Sequence, residues 1–168
     1  NVINKLGTGS GGTRNISGTS TYHVKLEQTL AELHNKEAAL VFPSAYTANQ
    51  ATIATLCRNI ESIEIFSDRL NHASLIEGIR NSKAQYHIFE HNDMEHLESL
   101  LQAADIEAPK LIICESIYSM EGIRSPLKEI VKLAKEYKAM TYLDEVHSVG
   151  LYGNDGRGIA DELGLSDD

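Results

Sequence analysis

The sequence predicts an α/β fold with a mostly parallel sheet and helices on both of its faces. Short apolar runs rich in β-branched residues alternate with helical patterns along the whole chain. Small and polar residues typical of turns separate these segments, and no repeat or low-complexity tract interrupts them. With 168 residues, 42% of them hydrophobic, the chain is long and apolar enough for one domain with a core.

The strand and helix patterns give the order of the elements. Strands are predicted over residues 38–42, 62–66, 85–89, 110–114 and 140–144. Helices are predicted over residues 1–6, 21–34, 45–57, 73–81, 94–104 and 126–138. Helix 21–34 is expected to bury Val24, Leu26, Leu30 and Leu33. Ser125 is the expected cap of the last helix and Pro126 its first residue.

Composition excludes several classes of partner. The net charge of −9 and the lack of a basic patch argue against nucleic acid. No apolar run reaches membrane-spanning length, so no membrane is expected. The two cysteines, Cys57 and Cys114, lie far apart in apolar surroundings, which favours buried thiols in a reducing compartment. Because the chain starts at Asn1 and ends in an acidic segment, we expect a piece of a longer protein.

Some patterns resemble known motifs but have simpler interpretations. Residues 144–147 (DEVH) resemble an ATPase motif, yet the chain has no G-x-x-x-x-G-K-[ST] loop. The glycines at 7, 9 and 12 follow no strand, so a flexible loop is favoured over a dinucleotide site. No H-E-x-x-H is present, so a solvated surface rather than a metal site is expected for the following cluster: His87, Glu90, His91, Glu95 and His96.

Polar residues follow the predicted strands, where ligands bind in open parallel sheets. They are Ser44 and Tyr46 after the first strand, Ser67, Asn71 and His72 after the second, Ser119 after the fourth, and Asp144 and His147 after the fifth. The strand–turn–helix at residues 38–49 could bind a phosphate at its helix start, although on this stretch alone an ordinary helix cap is favoured. The evidence for a site is that all these polar residues lie at the same edge of the predicted sheet.

Four segments resemble the α-oxoamine synthases, fold-type-I enzymes that use pyridoxal 5′-phosphate (PLP). These are residues 13–18 (TRNISG), 67–74 (SDRLNHAS), 115–122 (ESIYSMEG) and 143–153 (LDEVHSVGLYG). The resemblance runs in order over essentially the whole chain. It implies that residues 1–168 are an incomplete large, PLP-binding domain. The N-terminal region, the segment with the cofactor-binding lysine and the C-terminal small domain would be absent, so this chain alone is expected to be inactive.

The resemblance also implies roles for individual residues at the cofactor. Asp144 would pair with the pyridinium nitrogen, His147 would bind the phenolic oxygen, and His72 would stack on the ring; these three are the expected catalytic residues. The other expected cofactor contacts are Ser44, Ala45, Tyr46, Asn71 and Ser119.

Further residues match the family's substrate positions. Thr13 and Asn15 match positions that hold a succinyl carboxylate, and Ser67 matches a contact to CoA. Tyr86 departs from the family at the CoA site, where members often carry a lysine. The segment TRNIS offers polar partners that a succinyl carboxylate needs and an acetyl or pimeloyl chain does not. It therefore favours the condensation of glycine with succinyl-CoA to 5-aminolevulinate, CoA and CO2, the start of one route to haem.

Other interpretations of the chain stay open. The family also contains glycine C-acetyltransferase and 8-amino-7-oxononanoate synthase, and a non-catalytic homologue would act as a scaffold. A homodimer is expected, located in the cytoplasm if the source is bacterial and in the mitochondrial matrix if it is eukaryotic.

Overall fold

A four-stranded parallel sheet forms the centre of the larger of two structural units. The computed structural model describes residues 2–167, with one unit up to Val41 and a second unit from Phe42 onward. Its strands are β1 (Glu64–Asp68), β2 (Gln85–Phe89), β3 (Lys110–Glu115) and β6 (Ala139–Asp144). They lie in the order β2-β1-β3-β6.

The helices alternate with these strands, as predicted. In the first unit, α1 spans Val2–Leu6 and α2 spans Thr21–Leu33, with a π-helical turn at Arg14–Gly18 between them. In the second unit, the helices are α3 (Ala45–Asn59), α4 (Ala73–Ser82), α5 (Met94–Ala103), α6 (Leu127–Glu136) and α7 (Ile159–Glu162). A small antiparallel hairpin, β4 (Ile117–Tyr118) and β5 (Ile123–Arg124), was not predicted.

Helices cover both faces of the sheet because side chains of a strand alternate between its faces. On one face, residues of α3 and α4 pack on β1 and β3 through Ile53, Leu75, Ile79, Ile65, Leu111 and Ile113. On the other face, α5, α6 and α7 pack through Leu97, Leu101, Ile130, Leu133, Ile159, Phe66, Phe89 and Ile112. Cys57 and Cys114 are free thiols buried in these two clusters. The predicted α/β class is confirmed.

The predicted strand at residues 38–42 is wrong, because the structure has no regular strand there. The polar backbone groups of Val41 are bound by side chains instead of a neighbouring strand. Its N–H donates to Glu27 Oε1 at 2.8 Å, and its carbonyl accepts from Arg14 Nη1 at 2.9 Å. Pro43 then offers no N–H for a ladder. The next strand is shifted by two residues, which places Ser67 inside β1 rather than after it.

Two predictions about helices are also wrong in detail. Val24 and Leu26 were expected on one buried face of α2, but they are 43% and 47% exposed. Residues two apart on a helix point about 200° away from each other, so they cannot share a face. Ser125 does not cap α6, since the capping position is Pro126. The Ser125 hydroxyl donates instead to the carbonyl of Glu115.

Several helices begin at a side-chain cap, as the sequence suggested. Ser20 Oγ accepts from the N–H of His23, Ser44 Oγ accepts from Thr47, and Asp93 Oδ1 accepts from His96. Between residues 2 and 167, no helix is long and apolar enough to cross a bilayer.

Candidate functional site

Asp144 is the last residue of β6 and is buried at the carboxyl edge of the sheet. Its Oδ2 accepts a hydrogen bond from Asn49 Nδ2 at 2.6 Å, and its Oδ1 accepts from the backbone N–H of Val146 at 2.9 Å. Because each oxygen has a donor, the carboxylate has a fixed orientation. Asp144 is therefore a rigid negative group at the place where the sequence predicts a ligand.

Asn49 is a buried residue of α3 that sequence reasoning missed. Besides Asp144, its Nδ2 contacts Ser74 Oγ at 3.0 Å, and its Oδ1 accepts from the Tyr142 hydroxyl at 2.9 Å. One sequence signal could have pointed to it. Asn49 follows Ala45 by four residues, so it lies on the same helix face as the start of α3.

His72 occupies the N-cap position of α4, with its side chain exposed. Its backbone N–H donates to Glu115 Oε1 at 2.6 Å, and its Nδ1 accepts from the N–H of Ser74 at 3.2 Å. The ring edge meets the Tyr46 ring at a centroid distance of 6.1 Å. The structure therefore brings together two predicted cofactor residues from the starts of α3 and α4.

Asn71 directly precedes His72 and is buried, as is Ser67 on β1. Asn71 Nδ2 donates to Ser67 Oγ at 2.9 Å and to the carbonyl of Ile113 at 2.8 Å, which ties the turn before α4 to β1 and β3. Asn71 Oδ1 is a buried acceptor with no donor among the described residues. An unsatisfied buried acceptor is costly, so this atom marks a place for a donor from a ligand or water.

Glu115 is a second buried carboxylate at this edge, and sequence reasoning missed it. It ends β3 and is the register partner of Asp144 on β6. Burial raises the pKa of Glu115 to about 7, and the nearby negative charges of Asp144 and Asp68 add to that shift. A charged residue at the end of the apolar run LIIC was the available signal.

The start of α3 presents unpaired backbone donors. Ser44 Oγ accepts from the N–H of Thr47 at 3.1 Å, which caps the helix. The N–H groups of Ala45 and Tyr46 precede the first helical hydrogen bond, and neither bonds to a residue that the structure describes. Both residues are exposed. This start fits an anionic group such as a phosphate.

Two predicted cofactor residues form no hydrogen bond with the part of the chain that is described. His147 is exposed in the turn after β6, three positions beyond Asp144. Ser119 is exposed in the turn between β4 and β5. Their roles stay predictions.

Thr13 and Asn15, the predicted carboxylate-binding pair, contact each other in the first unit. Thr13 Oγ1 donates to Asn15 Oδ1 at 2.6 Å, and both residues are exposed. Between them, Arg14 binds Glu27 through two nitrogens, at 2.6 and 3.0 Å. The turn that presents Thr13 and Asn15 is therefore fixed to α2.

Ser67 and Tyr86, the predicted CoA residues, line one cavity of about 120 Å³ beside β2. The remaining lining residues are Asp68, Arg69, Ile76, Ile79, Arg80 and Ile88. Arg69 is paired with Glu90 at 2.6 Å, whereas the guanidinium of Arg80 has no partner within residues 2–167. The cavity therefore combines isoleucine side chains with two arginines and one acid.

The histidine and acid cluster of the sequence does not gather around one point. His87 Nε2 lies 2.7 Å from Glu64 Oε2, His91 Nδ1 lies 3.0 Å from Asp68 Oδ1, and His96 Nδ1 accepts from the backbone N–H of Glu90. Among the described residues, no three histidine, cysteine or acidic side chains are arranged to hold a metal ion.

Comparison with known families decides which kind of protein has this geometry. The model for "Aminotransferase class I and II" matches residues 1–167. The chain belongs to this family. As an aminotransferase class I and II chain, it is 56% identical over 167 residues to a 5-aminolevulinate synthase of Rickettsia bellii. It is 58% identical over 165 residues to a 5-aminolevulinate synthase of Paracoccus denitrificans.

These alignments include nearly all of this chain but only part of each relative. They cover 99% and 98% of the chain and 40% of each relative, so the chain spans about two fifths of the length of these proteins.

Solved structures share the fold. A serine palmitoyltransferase from S. paucimobilis, with bound PLP–myriocin aldimine, superposes with a TM-score of 0.92 at 36% identity, over 98% of this chain and 42% of that one. An 8-amino-7-oxononanoate synthase from Francisella tularensis superposes with a TM-score of 0.78 at 26% identity, over 97% and 43%.

Proposed function

We propose that this chain is the cofactor-binding part of a PLP-dependent α-oxoamine synthase that condenses glycine with succinyl-CoA to 5-aminolevulinate, CoA and CO2. The observation that supports it most is the fixed carboxylate of Asp144, at the same sheet edge as His72 and the unpaired N–H groups of α3. The relatives named 5-aminolevulinate synthase support the choice of reaction.

The residues present fit PLP. The cofactor has an anionic phosphate, a planar ring and a basic ring nitrogen. The N–H groups of Ala45 and Tyr46 suit the phosphate, and the capped start of α3 holds them in place. The Asp144 carboxylate suits a protonated nitrogen, and the exposed His72 ring offers a stacking surface. The orphaned Asn71 Oδ1 can take up one more donor.

The chain's own side chains hold and tune this group in the proposed mechanism. When bound, PLP supplies an electron sink for the carbanion formed from glycine. Asp144 keeps the proton on the ring nitrogen. Asn49 and Val146, which each donate to one of its oxygens, hold the carboxylate in place for that contact. His72 covers one ring face, His147 donates to the phenolic oxygen, and Ser119 helps to orient the ring.

The acyl substrate is proposed to use two other sets of residues. Thr13 and Asn15 bind the succinyl carboxylate, and the bond from Arg14 to Glu27 keeps their turn in shape. Ser67 and Tyr86 contact CoA at the cavity beside β2, where Arg80 offers an unpaired positive charge in place of the lysine missing at position 86.

We place the lysine that binds the cofactor outside these residues, in the part of a longer protein that the relatives contain. The lysines nearest to strand ends do not suit the role. Lys110 begins β3, at the opposite edge of the sheet, and its Nζ donates to the carbonyl of Asp105 at 2.6 Å. Lys83 follows the end of α4, also away from Asp144. A homodimer is part of this proposal, as is a place in the bacterial cytoplasm, since the compared relatives are bacterial.

Two measurements on the complete protein test the proposal. The first is product formation from glycine with succinyl-CoA or acetyl-CoA; we expect 5-aminolevulinate from succinyl-CoA, and a preference for acetyl-CoA would refute the substrate. The second is the absorbance with PLP before and after borohydride. A reduced adduct on a lysine peptide is expected, and its absence would refute the cofactor and favour a non-catalytic homologue.

A further inference from the structure

A continuous chain of side-chain hydrogen bonds connects His72 to Asp144 through the interior of the second unit. Asn49 is the branch point: its Nδ2 lies 2.6 Å from Asp144 Oδ2 and 3.0 Å from Ser74 Oγ. Ser74 Oγ lies 2.8 Å from His72 Nδ1. The Tyr142 hydroxyl completes the set by donating to Asn49 Oδ1 at 2.9 Å. Asn49, Ser74 and Asp144 are all buried.

The direction of each bond in this chain is fixed by chemistry. A carboxylate only accepts, so the amide nitrogen of Asn49 faces Asp144 and its oxygen faces Tyr142. The backbone N–H of Ser74 donates to His72 Nδ1 at 3.2 Å, so that nitrogen carries no proton. Because this nitrogen has no proton to donate, the Ser74 hydroxyl, 2.8 Å away, donates to it while accepting from Asn49. Neutral His72 is thus held with its proton on Nε2.

We propose that Asn49 is a positioning residue that fixes the Asp144 carboxylate and, through the Ser74 hydroxyl, further stabilises the His72 tautomer protonated on Nε2. One buried amide would then hold two groups, the Asp144 carboxylate and the His72 ring, in the state in which they contact the cofactor. The inference rests on the proposed function for its meaning in catalysis, but the link between Asn49, Ser74 and His72 exists without the cofactor. Asn49 and Ser74 touch neither substrate nor cofactor in this scheme.

A residue that only filled space would behave differently from this one. Aspartate has nearly the same shape as asparagine, so packing alone predicts that Asn49→Asp changes little. The proposed role predicts a large effect, because the variant loses the donor and places a second carboxylate at hydrogen-bonding distance from Asp144. Two carboxylates at that distance share one proton.

The experiment uses the complete protein, with and without PLP, in five variants. Asn49→Asp is expected to shift the midpoint of the pH titration of cofactor absorbance by about one pH unit or more. Asn49→Ala is expected to weaken PLP binding about tenfold, the scale of one hydrogen bond to a charged group. The matched controls are Asn59→Ala, on the same helix, and Ser82→Ala, a buried serine of α4 that bonds only near its own helix end. Both controls should match the wild type.

Ser74→Ala separates the two branches and is the mildest change. Asp144 keeps its bond to Asn49, so PLP affinity should stay within about twofold of the wild type, since the remaining bond is unchanged. The variant loses the hydroxyl donor to Nδ1 and keeps only the longer bond from the backbone N–H, so the ¹⁵N chemical shifts of His72, measured without PLP, should show a larger fraction of the tautomer protonated on Nδ1. This measurement keeps the test available if Asn49→Ala does not fold.

The outcomes separate this inference from the proposed function. If the wild type binds PLP and forms product, but Asn49→Asp titrates like the wild type and Ser74→Ala leaves the His72 tautomer unchanged, the inference is overturned and the function stands. If the wild type fails to bind PLP, the proposed function is overturned, while the His72 tautomer in Ser74→Ala still decides the inference.

Discussion

Glu115 and Asp144 are register partners on adjacent parallel strands, so two buried carboxylates end neighbouring strands at one edge of the sheet. Their surroundings differ. Asp144 accepts from Asn49 and Val146, whereas Glu115 Oε1 accepts from the backbone N–H of His72. One carboxylate thus faces the predicted ligand site with a fixed orientation, and the other holds the main chain of the residue expected to cover that ligand.

The raised pKa of Glu115 predicts a pH-dependent stability. In the folded state its pKa is about 7, against 4.5 in the unfolded chain, so the folded state binds more protons between these values. The wild type should therefore lose stability as the pH rises from 4.5 through 7. Glu115→Gln, which keeps the acceptor for His72, should not show that loss.

The test for Glu115 is a set of urea unfolding curves of the cofactor-free complete protein between pH 4.5 and 8. The exposed Glu61→Gln serves as the control, since it should follow the wild type. A constant difference between Glu115→Gln and the wild type over this range would contradict the prediction.

Asp144→Ala should abolish most activity of the complete enzyme. Loss of the carboxylate removes the group that keeps the ring nitrogen protonated, and losses of about a hundredfold or more follow when a group facing developing charge is removed. Asp144→Asn keeps the volume and one acceptor, so it isolates the charge. Turnover within a fewfold of the wild type in steady-state assays would rule out the role given to Asp144.

Sequence reasoning predicted most elements because their hydrophobic patterns are local. It placed β2 at residues 85–89, as observed, and correctly located Asp144 and His72 at the carboxyl edge of the sheet. It failed at residues 38–42, where Glu27 and Arg14 take the hydrogen bonds that a strand would need. A contact between residues 14 positions apart has no signature in a local window.

The interior of the site was missed for the same reason. Asn49 and Glu115 act through partners that are distant in sequence: Asn49 binds Asp144, 95 positions away, and Glu115 binds His72, 43 positions away. Family resemblance pointed to the residues that would touch the cofactor, whereas these supporting bonds became visible only from the packing of α3 and α4 on the sheet.

Arg80 should contribute to acyl-CoA binding if the cavity beside β2 is the CoA site. Its guanidinium is unpaired within the described residues and lines the same cavity as Ser67 and Tyr86. Arg80→Ala should raise KM for succinyl-CoA about tenfold with kcat nearly unchanged, because one charge-assisted contact is lost. Arg69→Ala is the comparison, since Arg69 is already paired with Glu90. Equal KM values for Arg80→Ala and the wild type would show that CoA does not bind in this cavity.

Gly158, in the loop after β6, should tolerate substitution poorly. Its φ is 112°, and a Cβ there would lie 2.5 Å from Glu145 Oε2. Glu145 accepts from the N–H of Ile159 at 2.8 Å, so displacing it uncaps α7. We expect Gly158→Ala to cost about 3 kcal/mol of unfolding free energy. Gly164→Ala, where φ is 72° and nothing lies within 4 Å, should cost about 1 kcal/mol. Equal losses in thermal unfolding would show that the contact with Glu145 is unimportant.

Glu27 should control the order of the segment that leads out of the first unit. Arg14 and the N–H of Val41 lower the pKa of Glu27 from 4.5 to about 2. A lowered pKa means that the stabilisation is complete above pH 4.5 and is lost as the pH falls through 2.

Glu27→Gln keeps one acceptor but loses the charge that binds Arg14, so amide protection at Val41 should fall at pH 7. Hydrogen exchange, expressed as protection factors to correct for intrinsic rates, measures this. The difference between variant and wild type should shrink as the pH is lowered towards 2, and a difference that is independent of pH would show that the ion pair does not hold this segment.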